Sequence, residues 1–555
     1  MVITVLPDGR RVEVAPETPL LEALNEANQP AEAICAGAGT CGKCRVRVHG
    51  PCSAATEAEL STVGGTELAE GVRLACQARA LGDCSVEVLT PLVRGHPRIL
   101  TDADLPPFAL EPRGIEQMAL RPGDSQRGIY GLAIDLGTTT VAAWLLDLLT
   151  GEEMARASAL NPQVVHGGDV ISRLTHAVEQ GGLEELHREA VRVFNLLTAE
   201  LAKQAGIHPH QIYHLVVAAN ATMQHFLLRV DPTGLSRAPF RPAFLEAPAT
   251  RARDLGLVIR PDAVVELVPG IGGFVGGDTV AAILATGQDR TGQATCLLDL
   301  GTNGEIVAGC HGRLVACSTA AGPAFEGAKI SQGMRGDQGA IEGVALDREV
   351  RLRVIGDAPP AGICGSGLID AGAELARVGI LDETGRIRSP DECTPFLPPR
   401  VLERLVPGEA GTYSFALALG PETRSGKPVL LTQKDVRELQ SAKGAIVAGA
   451  RLALAHLGLE ESQVDEVILA GAFGTYVRPV AALAVGLIPT VAVERVRSAG
   501  NAAGAGARMV LLSRTQATRA REIARRAEHL DLASHPDFVE QFMRGMYFPR
   551  VAAAH

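Results

Sequence analysis

The sequence predicts a multidomain chain that combines α+β and α/β architecture: a small N-terminal module with one helix across a mixed sheet, followed by two related α/β lobes. Three observations lead there. Three closely spaced cysteines sit on a glycine-rich loop between strand-like runs near the N-terminus. An apolar strand ending in Asp-Leu-Gly-Thr and followed by a second apolar strand occurs twice, once at Asp135 and again at Asp299. A further strand, in DEVILAGAFGTYV, ends in a glycine corner at 471–474. The chain of 555 residues exceeds what one hydrophobic core usually supports, so three or four domains are expected.

In the first module, VITVL and RRVEVAP flank Pro7, Asp8 and Gly9, a hairpin turn signal. A helical pattern carrying Leu20, Leu21 and Leu24 follows and ends before Pro30. Next come the cysteine loop and the strand-like runs CRVRVHG and GDCSVEVL. Cys35, Cys41 and Cys44 are spaced C-x5-C-x2-C. With a fourth cysteine downstream, such a loop can wrap four thiolates around one small iron-sulfur cluster. The chain must turn sharply to bring the thiols together, which Gly37, Gly39 and Gly42 permit, and backbone N–H groups of the loop can point at the sulfides. Zinc accepts the same four thiolates, but the hairpin and helix context favours iron. The module resembles the 2Fe-2S ferredoxin family, with its ubiquitin-like fold. That resemblance assigns the last ligand to Cys76 in RLACQA, and leaves Cys52 and Cys84 as small hydrophobes.

Composition narrows the function classes. A net charge of −11 argues against a general polyanion binder, so no nucleic acid partner is expected. The start MVITVLPDGRRVEV lacks the basic and long apolar regions of a signal peptide, and no apolar run approaches a membrane span without interruption. A cytoplasmic location without membrane association is therefore expected. Of eleven cysteines, six fall in the first 84 residues and five between Cys296 and Cys393, a poor match to a disulfide framework. Clustered thiols in a reducing compartment point to a metal site instead.

The expected boundaries are a cluster module at 1–92, a Pro-rich linker at 93–127, a middle domain at 128–206 that starts the first lobe, an ATPase domain at 207–515 and a tail at 516–555. The linker either tethers a swinging module or packs along the next domain. Each Asp-Leu-Gly-Thr turn leaves backbone N–H groups and hydroxyls free to cradle phosphate, while its aspartate can hold Mg²⁺ or its waters. The candidate residues are Asp135, Gly137, Thr138 and Thr139 in the first turn, and Asp299, Gly301, Thr302, Asn303 and Gly304 in the second. These segments resemble the phosphate segments of the superfamily of actin, sugar kinases and heat-shock ATPases, which implies duplicated ribonuclease H-like lobes. The glycine corner resembles that superfamily's adenosine segment, through Gly471 and Gly474.

Between these segments, 270–277 reads as a loop closing on the cleft, with Gly276 in it and Asp278 capping the next helix. Gly322 and Glu326 lie in a loop after the second turn, where Glu326 either orders water or Mg²⁺ or simply caps a helix. Lys434 or Lys443, on a long helix at 431–458, is expected to reach the nucleotide. The stretch 161–177 carries His166, Asp169 and His176 on a loop and helix start, and His214, His225 and His311 are not spaced as a metal set. Cys364 lacks a base partner in sequence. The tail, with Phe538, Phe542, Met543, Met546, Tyr547 and Phe548, is expected to dock on the lobes.

A one-electron carrier fused to an ATP clamp suggests uphill electron transfer. The whole arrangement resembles the reductive activators of corrinoid-dependent methyltransferases, through IDLGTTTVA, PGIGGFVGGDTVA, LLDLGTNGEI, AAGPAFEGAKIS and LAGAFGTYV. That resemblance implies ATP-dependent return of one electron to an inactive Co(II) corrinoid, an external low-potential electron donor, and a homodimer. Some members of the family carry a 4Fe-4S cluster at the other end of the chain. The lack of cysteine after Cys393 groups this sequence with the 2Fe-2S members. The rivals are an activator of another low-potential enzyme, such as a radical-type dehydratase, and a small-molecule kinase or ATPase with a structural zinc module.

Overall fold

The structure, a computed structural model, describes residues 1–6, 8–27, 29, 31, 37, 39, 42–89, 101–103, 105–112, 128–327 and 329–550. Cys35, Cys41 and most of the linker lie outside these residues. The chain divides into two compact units, Met1–His96 with Pro162–Glu189, and Pro97–Asn161 with Ala190–His555.

In the first unit, alternation of apolar and polar residues produces a five-stranded mixed sheet. Its order is Arg10–Glu13, Val2–Leu6, Cys84–Val88, Arg45–His49, Val72–Leu74. Val2–Leu6 runs antiparallel to Arg10–Glu13 and parallel to Cys84–Val88. The helix Leu20–Glu26 starts directly after Pro19 and buries Leu20, Ala23 and Leu24 with Ile3, Val5, Val46 and Val86.

The helix Glu57–Thr62 and the strand Val72–Leu74 were not legible as periodic patterns, because both are short. Thr56 and Glu59 form a capping box at the start of that helix. The fully buried Glu59 also takes Arg73 through hydrogen bonds of 2.9 and 2.7 Å and the Leu74 backbone N–H at 3.0 Å. Burial opposes ionisation of Glu59, yet hydrogen bonds from Arg73, Thr56 and Leu74 outweigh it and hold the carboxyl below its usual range. Arg73→Ala strands this carboxylate in the core. A loss of about 3–5 kcal/mol is expected, read by chemical denaturation alongside a Glu59→Gln/Arg73→Met double variant that removes both charges and loses less.

The second unit repeats one pattern. Its first sheet has the order Thr250–Arg251, Val264–Leu267, Ile212–Ala219, Tyr130–Leu136, Thr140–Asp147, Glu153–Leu160. Its second has the order Val496–Gly500, Glu466–Ala470, Thr295–Leu300, Gly304–Cys310, Arg313–Thr319, Glu528–His529. In both, the aspartate-bearing strand opens an antiparallel meander on one side and pairs in parallel with a later strand on the other. The first sheet therefore spans residue 207, since Ile212–Ala219 pairs with Tyr130–Leu136.

Helices Gly277–Thr286 and Ala502–Leu512 pack on each other within a core that draws on both sheets. Their contact depends on small residues, because a Cβ at Gly506 would lie 2.1 Å from the Ala281 carbonyl oxygen. A second core gathers helices Gly365–Arg377 and Gln433–His456 with two three-stranded sheets.

The tail docks on this unit: Glu528–His529 pairs with Val315 and Ala316, and Phe548 is buried. The described part of the linker also lies along it, with Glu111 bonded to the backbone of Leu512 and Arg514 and the Asp102 carbonyl accepting the Asn501 N–H. No helix among the described residues is long and apolar enough to cross a membrane.

Candidate functional site

In the cysteine module, ladder geometry sets the described thiols. Arg45 pairs with Leu74, and the Ala75 N–H donates to the Cys44 carbonyl at 2.8 Å. Cys44 and Cys76 therefore leave neighbouring strand ends with their sulfurs 3.3 Å apart. That is too long for a disulfide, about 2.05 Å, and short enough for both thiolates to reach one ion through bonds of about 2.3 Å.

The loop carbonyls are held by side-chain donors. Gln77 donates to the Gly37 carbonyl at 2.5 Å, Thr62 to that of Gly39 at 3.1 Å and Arg45 to that of Gly42 at 3.1 Å. All three glycines have positive φ. Such donors and turns fit a four-thiolate cluster, and Cys35 and Cys41, the other two expected ligands, fall outside the described residues. Cys84 is buried in the core as expected. Cys52 differs from a plain hydrophobe in that its sulfur takes the Arg73 guanidinium at 3.0 Å.

In the second unit the two aspartate turns face a common cavity of about 260 Å³. Asp135, Gly137, Thr138 and Thr139 line it from one lobe, and Asp299, Gly301, Thr302 and Asn303 from the other. Asp278, Glu326 and Gly471 also reach it. The turns are drawn together by polar contacts: the Thr139 and Thr302 hydroxyls lie 2.9 Å apart, and both donate to Glu326 Oε1, Thr139 at 3.0 Å. Asn220, the N-cap of helix Ala221–Leu228, donates to the Thr138 hydroxyl at 3.1 Å. Phe325 and Phe473 stack at 4.6 Å between ring centres on the cavity wall.

The electrostatics are those of crowded carboxylates. Burial pushes Asp135 up to about 7, against the Asn501 amide that donates to it at 2.9 Å and with the charge of Asp278 adding to the rise. Burial, then the charges of Asp278 and Asp135, push Asp299 up to about 7. Burial raises Asp278 to about 6, against the hydrogen bonds from Thr279. Glu305 is raised well above its usual range by burial and by Asp278 and Asp299. Arg335 is the one cationic side chain among the described residues lining the cavity. A hard divalent cation fits such an all-oxygen donor set.

Several expected site residues sit elsewhere. Gly276, Gly304, Gly322 and Gly474 do not line the cavity. Gly276 is where two backbones meet, since a Cβ there would lie 2.4 Å from Asn220 Cα. Gly304 and Gly474 pack against Ile446 and Leu469. Asp278 is the second residue of its helix, after Gly276 at the N-cap and Gly277, and its carboxylate both reaches the cavity and accepts the first-turn Thr279 N–H at 2.7 Å. Neither lysine reaches the site. Lys434 is exposed, and the buried Lys443 donates to the carbonyls of Gly545 and Tyr547 at 2.5 and 2.7 Å, clamping the tail.

Among the lining residues not anticipated as site residues are Glu305 and Asn501. Glu305 follows directly on the second turn, and Asn501 caps helix Ala502–Leu512 by accepting the Gly504 N–H at 2.6 Å while its amide reaches Asp135. The SerAlaGlyAsn run before an alanine-rich stretch was a helix-start signal that could have flagged Asn501.

Gly471 has φ +83°, and a Cβ there would lie 2.3 Å from Asp299 Oδ1. Gly471→Ala is expected to displace that carboxylate and weaken nucleotide binding at least tenfold, measured by calorimetry, at a folding cost of about 1–3 kcal/mol.

The two lobes and their shared cleft, joined to a cysteine-loop module, define a nucleotide-binding actin/sugar-kinase-like fold fused to a 2Fe-2S ferredoxin domain. Family models match in chain order: a 2Fe-2S iron-sulfur cluster binding domain over 3–81, the RACo middle region over 130–291, and the C-terminal ASKHA domain of RACo over 293–554. The chain is 38% identical over 429 residues to the corrinoid activation enzyme RamQ of Eubacterium limosum, covering 77% of this chain and 71% of that one. It is 26% identical over 449 residues to the [Co(II) methylated amine-specific corrinoid protein] reductase of Methanosarcina barkeri, covering 74% and 75%. A solved structure of a reductive activator for a corrinoid, iron-sulfur protein superposes with TM-score 0.68 and 32% identity over 99% of this chain and 98% of that one. The chain belongs to the RACo family of reductive activators.

Proposed function

We propose that the protein restores a corrinoid-dependent methyltransferase system by ATP-dependent delivery of one electron, converting an inactive Co(II) corrinoid of a partner protein to Co(I). The observation that carries this reading is the joining, in one chain of this family, of a cysteine module fitted for a cluster and a cleft in which two aspartate turns converge. Cys35, Cys41, Cys44 and Cys76 hold the 2Fe-2S cluster, which supplies a one-electron carrier when bound. An external low-potential donor refills it, and the protein acts as a homodimer in the cytoplasm.

In the cleft, Asp135, Asp278, Asp299 and Glu305 hold Mg²⁺ directly or through waters, as Mg²⁺ prefers when it also binds substrate phosphates. Gly137, Thr138, Thr139, Gly301, Thr302 and Asn303 receive the phosphates with N–H and O–H donors. Gly471 leaves room for the nucleoside, while Gly276, Gly304, Gly322 and Gly474 shape the walls behind it. Glu326 exchanges its two threonine partners for the attacking water. Asn501 links the Asp135 carboxylate, which would hold the cation, to the Asp102 backbone of the linker.

The protein, a Co(II) corrinoid protein, a low-potential reductant and Mg-ATP are mixed without air, and the cobalt spectrum is followed. Co(I) is expected only when all four are present. Formation of equal Co(I) without ATP, or none with it, contradicts the proposal. Iron and sulfide analysis with an EPR spectrum of the reduced protein separates it from the zinc-module ATPase.

A further inference from the structure

We infer that the segment 162–189 carries a metal site for a zinc-class divalent cation, formed by His166, His176 and Glu185. The three come from different elements of one unit: His166 ends the short helical turn Pro162–His166, His176 lies on helix Val170–Glu179, and Glu185 opens helix Leu183–Ala205. One ligand atom from each lies within 4.8 Å of the others. Glu185 Oε2 is 3.0 Å from His176 Nε2 and 3.8 Å from His166 Nδ1. Two atoms bound tetrahedrally to one zinc, with bonds of about 2.1 Å, stand roughly 3.4 Å apart, so the observed pairs straddle the required separation.

The surroundings of His176 already arrange it as a ligand. Its Nδ1 faces Gln180 Oε1 at 2.8 Å while its Nε2 faces the Glu185 carboxylate at 3.0 Å. With the ring N–H on Nδ1, the Nε2 lone pair and the carboxylate can take one cation between them. Gln180 then holds the Nδ1–H, as outer partners of metal-bound histidines do.

The local sequence makes room for this arrangement. Asp169 caps the helix that presents His176, accepting the Ser172 N–H at 2.8 Å. At Gly182 a Cβ would lie 2.1 Å from His176 Nε2, so only glycine lets the ring sit against that turn. His166 stacks on His176 with ring centres 4.5 Å and planes 18° apart, so one ring must turn out of the stack for both nitrogens to face one ion, and Glu185 is half exposed, which leaves a side open for a water ligand. Two imidazoles and one carboxylate suit Zn²⁺ over Mg²⁺ or Ca²⁺. The ion would staple the three elements together.

The test uses full-length protein with its iron-sulfur cluster loaded, stripped of loosely held metal and titrated with Zn²⁺ alone. Wild type is expected to take up one zinc per chain beyond its iron, with a rise in melting temperature. His166→Ala/His176→Ala is expected to lose that uptake and that rise at unchanged iron content. Glu185→Gln, at a half-exposed position that leaves the imidazoles in place, is expected to bind at least about tenfold more weakly and keeps the test readable if the double variant folds poorly. Equal zinc uptake by wild type and Glu185→Gln, or no uptake by wild type, overturns the site and leaves a plain His176–Glu185 hydrogen bond.

Discussion

Cys76→Ser is expected to leave nucleotide binding intact and to reduce no cobalt. Cys76 follows the strand Val72–Leu74, and its sulfur stands 3.3 Å from that of Cys44, so one substitution removes half of the described thiol pair. Serine is close in size and presents a harder oxygen that binds iron less well. The ladder contact from the Ala75 N–H to the Cys44 carbonyl uses backbone atoms alone and survives the change. The expected result is a fall in bound iron and loss of Co(I) formation to background, with the affinity for Mg-ATP within about twofold of wild type, since the thiols and the cleft residues share no partners among the described residues and belong to separate compact units. Iron analysis, nucleotide calorimetry and the cobalt assay on one preparation check this. Loss of nucleotide binding as well would show that the module supports the cleft structurally.

The second large effect is expected at Asp299. Asp299→Asn should lower ATP-driven cobalt reduction by roughly a hundredfold or more, the scale on which metal and electrostatic contacts act in phosphate chemistry. It should also stabilise the protein when nucleotide and Mg²⁺ are absent. Burial and the charges of Asp278 and Asp135 push the Asp299 carboxyl up to about 7, well above an unfolded aspartate near 3.9. Between those values the native state holds more protons than the unfolded state, so stability falls as pH rises from about 4 to about 7. Melting curves in EDTA across that range should show the decline in wild type and a shallower one in Asp299→Asn. Added Mg-ATP should restore wild type far more than the variant. Equal pH slopes in the two proteins would mean that Asp299 is not part of a repelling set.

The legible parts of this molecule are local. The Asp-Leu-Gly-Thr turns could be placed because strand, aspartate, turn and strand are contiguous, and the pairing of Asp135 with Ala142 and of Asp299 with Glu305 keeps each aspartate at its strand end. Asn501 was missed for the opposite reason. It lies far along the chain, and only the folded arrangement brings its amide to Asp135.

Glycine was ambiguous in sequence because it marks any close approach of backbone. At Gly471 the approach is to a cavity carboxylate, and at Gly276 it is to the Asn220 backbone. Lys443 misled because a long helix shows its periodicity but not which neighbour covers each face. The tail, which supplies the carbonyls of Gly545 and Tyr547, covers that one. The His166, His176 and Glu185 set was invisible because its spacing follows no metal motif and depends on a turn at Gly181 and Gly182.

The most direct measurement of the central claim is a single turnover. The protein is reduced, separated from its reductant, and mixed with Co(II) corrinoid protein with and without Mg-ATP while the cobalt absorbance is recorded. The account predicts Co(I) with ATP at no more than one electron per cluster, none above background without ATP, and none with Asp299→Asn. The same yield of Co(I) with and without ATP would contradict it.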